Sequence, residues 1–168
     1  MPTRISLLIG AACLSSLSAL AKNAEVDWWR TSGAAVVEHL YKAGGMVCSL
    51  FLYNQAQAVV VTWGKTDAKE VSFYDEHWQF QTNQPVSAVV RIGTTWLGES
   101  SDRGPPIVMA VGGPGRLSVP LSQSVESPLR TAAQITMLSG SSKMDIDVDR
   151  RKMPALLKAV KRCRAALK

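Results

Sequence analysis

Histidine and cysteine are scarce in this chain of 168 residues, which has only His39 and His77 of the first and Cys13, Cys48 and Cys163 of the second. A zinc site needs about four side-chain ligands, or three and a water. Two histidines without a local ligand pattern therefore give no metal signature, and no metal or other cofactor is expected. No Gly-x-Ser-x-Gly elbow is present, and the serines gather in turns such as Ser139 to Ser142, so the common nucleophile motif is missing. The run Gly112 to Gly115 has no lysine, serine or threonine directly after it and opens no helical pattern; it reads as a turn and not as a phosphate cradle. Beyond the first residues no apolar run approaches the ~20 residues of a membrane helix. Aromatic and cationic residues are not interleaved on one segment, which argues against nucleic acid as a partner.

Acid is also absent from one end. Arg150 to Lys168 holds eight cations and no acid, whereas Lys22 to Asp149 holds ten cations and all thirteen acids, a net charge of −3 for that stretch. The formal charge of +6 is thus the property of one terminal segment. Such a segment suits an acidic protein surface, and peripheral contact with a membrane surface stays open for it. The plainer reading is a solvated helix face whose cations favour its C-terminal end.

What is present begins with a leader. Met1 to Ala21 has a cation at Arg4, an apolar stretch from Ile5 to about Leu17, and small residues at Ala19 and Ala21, the pattern of a cleaved signal peptide. A lipid anchor at Cys13 is disfavoured, because Gly10 stands where a large aliphatic is wanted. Residues 22–168 then form a single exported domain, expected in the periplasm. Oxidising conditions there favour a bridge between Cys48 and Cys163, with two independent buried thiols as the alternative.

The end of the chain is the most legible part. Met144, Ile146 and Val148 alternate with Asp145, Asp147 and Asp149, the period of a half-buried strand. From Met153 the apolar residues recur at Leu156, Leu157, Val160, Cys163 and Leu167, the spacing of one helix face, with Pro154 in the first turn. Upstream, Val36, Val37, Leu40 and Tyr41 fall at helical spacing, so a short helix is expected over Ala34 to Lys42, with an extended arm whose Trp28 or Trp29 plugs the core as the alternative. Met46–Tyr53, Ala58–Trp63, Val71–Tyr74, His77–Gln81, Val86–Ile92, Ile107–Val111, Leu117–Val119 and Ile135–Leu138 read as strands, with Thr95 to Leu97 as a hairpin partner or continuation past Gly93. Glu99 to Pro106 reads as a loop, and Ser127-Pro128 as the cap and first turn of a short helix. The fold expected is α+β, mainly β: an antiparallel curved sheet or small sandwich of about eight short strands closed by a C-terminal helix.

Several residues remain as functional candidates. Trp28, Trp29 and Trp96 lie beside loops and suit partner anchoring; Lys158, Lys161, Arg162 and Lys168 form the cationic face of the last helix. Asp75 and His77 are the titratable pair around which a small secreted hydrolase would be built, with a nucleophile from elsewhere in the chain.

The order of features also carries a resemblance. A leader precedes a tryptophan-containing start, an early strand with Cys48, the strand Val86-Ser87-Ala88-Val89-Val90-Arg91-Ile92 followed by Trp96, the segment Pro128-Leu129-Arg130-Thr131-Ala132, and a last helix ending in Ala159-Val160-Lys161-Arg162-Cys163. This pattern resembles small exported alphaproteobacterial proteins of the invasion-associated locus B family, with fewer cysteines than that family usually carries. The resemblance implies a β-rich periplasmic module and contributes no catalytic residues. The function expected is a non-catalytic accessory subunit that docks on or stabilises a larger envelope protein, one form being the small subunit of a membrane-anchored periplasmic oxidoreductase. The alternatives are the hydrolase and a free envelope or host-interaction module.

Overall fold

Apolar residues at every second position build sheet through most of the chain. The computed structural model describes residues 25–41, 44–99 and 104–168, and in it ten strands form one antiparallel sheet. They are β1 (Val26–Thr31), β2 (Ala34–Leu40), β3 (Met46–Tyr53), β4 (Gln57–Trp63), β5 (Ala68–Gln79), β6 (Pro85–Ile92), β7 (Thr95–Trp96), β8 (Val108–Pro120), β9 (Gln134–Ser139) and β10 (Ser142–Asp147). Two helices complete the described residues, α1 (Glu126–Thr131) and α2 (Met153–Ala166). The strand order is β1-β2-β3-β4-β5-β8-β6-β9-β10, with β7 paired to β6.

The first five strands form a meander of successive hairpins. β8 then joins the two halves of the sheet. Its C-terminal part pairs with β5 from Arg116 to Pro120, and its N-terminal part pairs with β6 from Val108 to Val111. The sheet curls far enough that β10 comes into contact with β4, so the inward side chains of both halves share one core. Leu50, Val61 and Phe73 face Val90, Ile135 and Met144 in it. α2 closes this core by packing on β1, β2 and β3, and α1 packs against α2.

The stripe read from sequence is the face that α2 buries: Met153, Leu156, Leu157, Val160, Cys163 and Leu167, with Ala159 added. Burying each large aliphatic of that stripe contributes about 1.5–3 kcal/mol. A disulfide joins Cys48 of β3 to Cys163 of α2 across a Cα–Cα distance of 6.1 Å, tying the final helix to the sheet.

The mainly β, antiparallel, helix-closed architecture agrees with the sequence expectation, while several elements differ from it. Ala34 to Leu40 is a strand, not a helix. Ala34 and Val36 enter the core and Ala35 and Val37 are buried on the opposite face, so a run apolar at nearly every position satisfies a two-sided strand as well as a helix. The hairpin decides between them. Thr31 pairs with Ala34 across Ser32-Gly33, and Gly33 adopts φ +77, which a two-residue β-turn demands. The strands expected on either side of Asp75-Glu76 are one continuous β5. Likewise Gly112 to Gly115 is no chain reversal, because β8 runs through it. Tyr74 pairs with Arg116 but Gln79 pairs with Pro114, so four residues of β5 oppose one of β8, and Gly115, at φ +65, absorbs the bend. Ser127 is no cap: α1 begins after Val125, without a side-chain cap. The leader Met1–Ala21, including Cys13, lies outside the described residues, as do residues 100–103 of the loop expected over Glu99 to Pro106.

Candidate functional site

The cations proposed from sequence are gathered on one surface. Lys158, Lys161, Arg162 and Lys168 are all exposed on the outer side of α2 or just past its end, and among the described residues none of the four makes an ion pair. Arg164, a fifth cation of the helix, is used internally. It binds Glu126 of α1 and donates to the carbonyl of Thr66 at 2.7 Å, so it fastens α2 to its surroundings and leaves the other four in solvent. The helix face is held rigidly from beneath, by its apolar stripe and the disulfide.

Trp28 and Trp29 are neighbours in sequence and would point to opposite sides of a regular strand. A bulge between Asp27 and Trp29 breaks that alternation, and both rings pack, half-buried, against the core. Trp28 Nε1 also donates to Glu38 Oε2 at 3.1 Å, which ties β1 to β2. Both tryptophans therefore serve in attaching the edge strand.

Trp96 stands apart from these, on β7, and it is part of something the sequence did not reveal. Ile107, Met109 and Val111 alternate along the N-terminal half of β8 and are 69%, 58% and 46% exposed. Pairing sets the outward residues of neighbouring strands beside them. Ser87 of β6 lies opposite Met109, Val89 lies opposite the exposed Leu138 of β9, and Arg91 lies opposite Trp96, with its guanidinium 5.3 Å from the indole centroid. Lys143 of β10 lies opposite Leu138. Five of the seven exposed large hydrophobics of the described residues thus share the outer face of β7, β6, β8 and β9, bordered by Arg91 and Lys143. The run Ile107 to Val111 reads from sequence as a strand, and nothing local shows that one side is left uncovered.

The titratable groups are arranged as follows. Asp75 Oδ1 accepts from the backbone N–H and Nδ1 of His77, the latter at 2.9 Å, and Gln57 Nε2 donates to Asp75 Oδ2 at 2.8 Å. Burial disfavours the charged form of Asp75, but the hydrogen bonds from Gln57 and His77 outweigh it and hold the carboxyl below the usual value. The His77 side chain is 77% exposed, and among the described residues no serine, threonine or cysteine joins the pair by a hydrogen bond.

A second histidine makes a contact of more chemical interest. His39 Nδ1 lies 3.1 Å from the carbonyl oxygen of Leu40, which can only accept, so in the neutral ring this nitrogen carries the proton. Nε2 then accepts from Ser49 Oγ at 2.9 Å, and Ser49 in turn accepts from Thr62 Oγ1 at 2.9 Å. A serine bonded to an oriented histidine has the logic of an activated nucleophile. Ser49 is fully buried, however, so no substrate carbonyl reaches its oxygen. This chain of bonds satisfies polar groups inside the sheet.

The same outer face of β5 and β8 carries a larger network. Glu70 accepts from Tyr41 on one oxygen at 3.0 Å and from Ser72 and Arg116 on the other at 3.1 and 3.2 Å; Arg116 Nε donates to Ser118 Oγ at 2.7 Å. Burial, reinforced by the charge of Glu70, pushes the Tyr41 phenol up to about 12, so Tyr41 remains a donor.

Among the described residues no three His, Cys, Asp or Glu side chains converge as metal ligands, and no helix is long and apolar enough to cross a membrane. Compared with known family models, curated proteins and solved structures, the chain matches none.

Proposed function

We propose that this chain is a non-catalytic accessory subunit of the periplasm, which docks on a larger envelope protein through the outer face of β8, β6 and β9. The supporting observation is the apolar surface of Ile107, Met109, Val111, Leu138 and Trp96. Contiguous apolar patches on a protein exterior mark interaction sites, and an exposed tryptophan held by an arginine is a typical anchor of one. The bordering Arg91 and Lys143 favour a partner whose contact surface is apolar at its centre and acidic at its rim. The exposed cations of α2 add a second, screened attraction toward the same acidic partner. The disulfide agrees with an exported protein.

Site-specific photo-crosslinking tests the reading. A crosslinker at Leu138 of the tagged protein, expressed in its native envelope, is expected to give one defined adduct, whereas the same group at Lys65, on the β4–β5 turn, gives none. Ile107→Glu combined with Met109→Glu is expected to abolish both the adduct and co-purification while leaving the melting temperature unchanged. An undiminished complex with that double variant would remove this face from the proposal.

A further inference from the structure

A cavity of about 500 Å³ opens on the outer face of the sheet over Glu70, Arg116 and Ser118. That volume lies within the ~300–1,000 Å³ of small-molecule pockets. Its far wall is the Thr82-Asn83 turn and the Gly112-Gly113-Pro114 stretch of β8; Lys69 stands at the rim, and Val111 and Pro120 extend the apolar part of the lining. The wall is fixed by the backbone: Asn83 N–H donates to the Gly112 carbonyl at 3.0 Å and Gly112 N–H to the Gln84 carbonyl at 2.7 Å.

What this cavity offers a ligand follows from which groups are already used. Among the described residues Glu70 is the one acid of the lining, and both its oxygens are occupied, by Tyr41 on one and by Ser72 and Arg116 on the other. Arg116 is held in place, with Nε on Ser118, Nη2 on Glu70, and its guanidinium 5.8 Å from the Tyr74 ring centroid. Those two bonds use two of its five N–H groups, so the rest of the fork is left for a ligand in the cavity that Arg116 lines. Lys69 has only an exposed pairing with Asp67 at 3.4 Å, which a ligand displaces at little cost. The charged groups left for recognition are thus cationic donors, beside the polar Thr82-Asn83 turn and an apolar wall.

We propose that this cavity binds a small organic monocarboxylate, its carboxylate on the fork of Arg116 and on Lys69 and its apolar body against Val111, Pro114 and Pro120. A planar fork fixed by a buried acid matches a carboxylate in a bidentate geometry, which a point charge does not provide. The cavity meets the docking face at Val111, which borders both, while its cationic groups, Arg116 and Lys69, lie outside that face.

The test is an NMR titration of the isotopically labelled protein with sodium benzoate, with benzyl alcohol and inorganic sulfate as separate probes. Benzoate is expected to shift the Arg116 and Gly113 amide signals saturably with a Kd of about 1 mM or tighter. Two variants locate the binding. Arg116→Lys keeps the charge but loses the fork and is expected to weaken benzoate by about tenfold or more. Gly113→Phe fills the cavity: a Cβ there meets nothing within 4 Å, so the fold accepts it, and benzoate binding is expected to disappear. No saturable shift with benzoate, or equal affinity in Gly113→Phe, overturns the site. Sulfate binding as tightly as benzoate overturns the carboxylate assignment, and benzyl alcohol doing so overturns the role of Arg116.

Discussion

At the scale of single residues, the buried polar groups set the sharpest expectations. Ser49 links His39 to Thr62 inside the sheet, and its loss strands the buried Thr62 hydroxyl and removes the partner of the half-buried His39 ring. Ser49→Ala is expected to cost about 1–3 kcal/mol in urea denaturation, with an unchanged m-value. His77 is the contrasting case. Its ring is largely solvated, so His77→Ala should change stability by less than about 1 kcal/mol and leave partner binding intact. Asp75 gives a pH signature. Its folded-state pKa lies below the ordinary 3.8, so the stability it contributes is complete above that value and is lost as pH falls through the lower, folded-state value. Acid titration of the denaturation midpoint should therefore show a steeper fall for the wild type than for Asp75→Asn below about pH 4. The pairing of Asp75 with His77 was suggested by their spacing. That Gln57 completes the arrangement depended on the register of β4 and β5.

At the scale of elements, α2 and its attachments decide whether the sheet has a closed core. The helix contributes six buried residues within its own length and is held at three places: the apolar stripe, the Cys163 bridge, and Arg164 between Glu126 and Thr66. Leu156→Ala is expected to cost about 2–5 kcal/mol, since the side chain is almost wholly enclosed. Replacing both Cys48 and Cys163 by alanine opens a loop spanning 115 residues and should lower stability by about 3–5 kcal/mol, measured by guanidinium unfolding. β2 shows where element-level reading fails. Seven consecutive positions, most of them apolar, match a helix and a two-sided strand alike, and the choice belongs to Gly33 and to the partner strands β1 and β3.

At the scale of the molecule, two surfaces of different chemistry lie on different elements, the apolar face of β8, β6 and β9 and the cations of α2. Their contributions to partner binding should separate kinetically. Changing Lys158, Lys161, Arg162 and Lys168 to glutamate is expected to slow association and reverse the contribution of α2 to its salt dependence, whereas Met109→Glu raises the dissociation rate. Surface plasmon resonance at low and high salt against the crosslinked partner distinguishes the two. Neither change should alter unfolding by more than about 0.5 kcal/mol, because both surfaces lie outside the core.

The amino-acid sequence by itself determined the elements whose signal is local: the alternation into β10, the 3.6-residue stripe of α2, the concentration of charge at the C-terminal end, and the pair Cys48 and Cys163 available for a bridge. Each of these is periodicity or composition within one segment, where burial follows directly from spacing. Only the tertiary structure decided which side of β8 stays bare, that β8 serves two partner strands through a bend at Gly115, and that Glu70 orients Arg116 across an open cavity. Those outcomes depend on pairing between residues far apart in the chain. A strand shows which residues share a face but not whether another layer covers it.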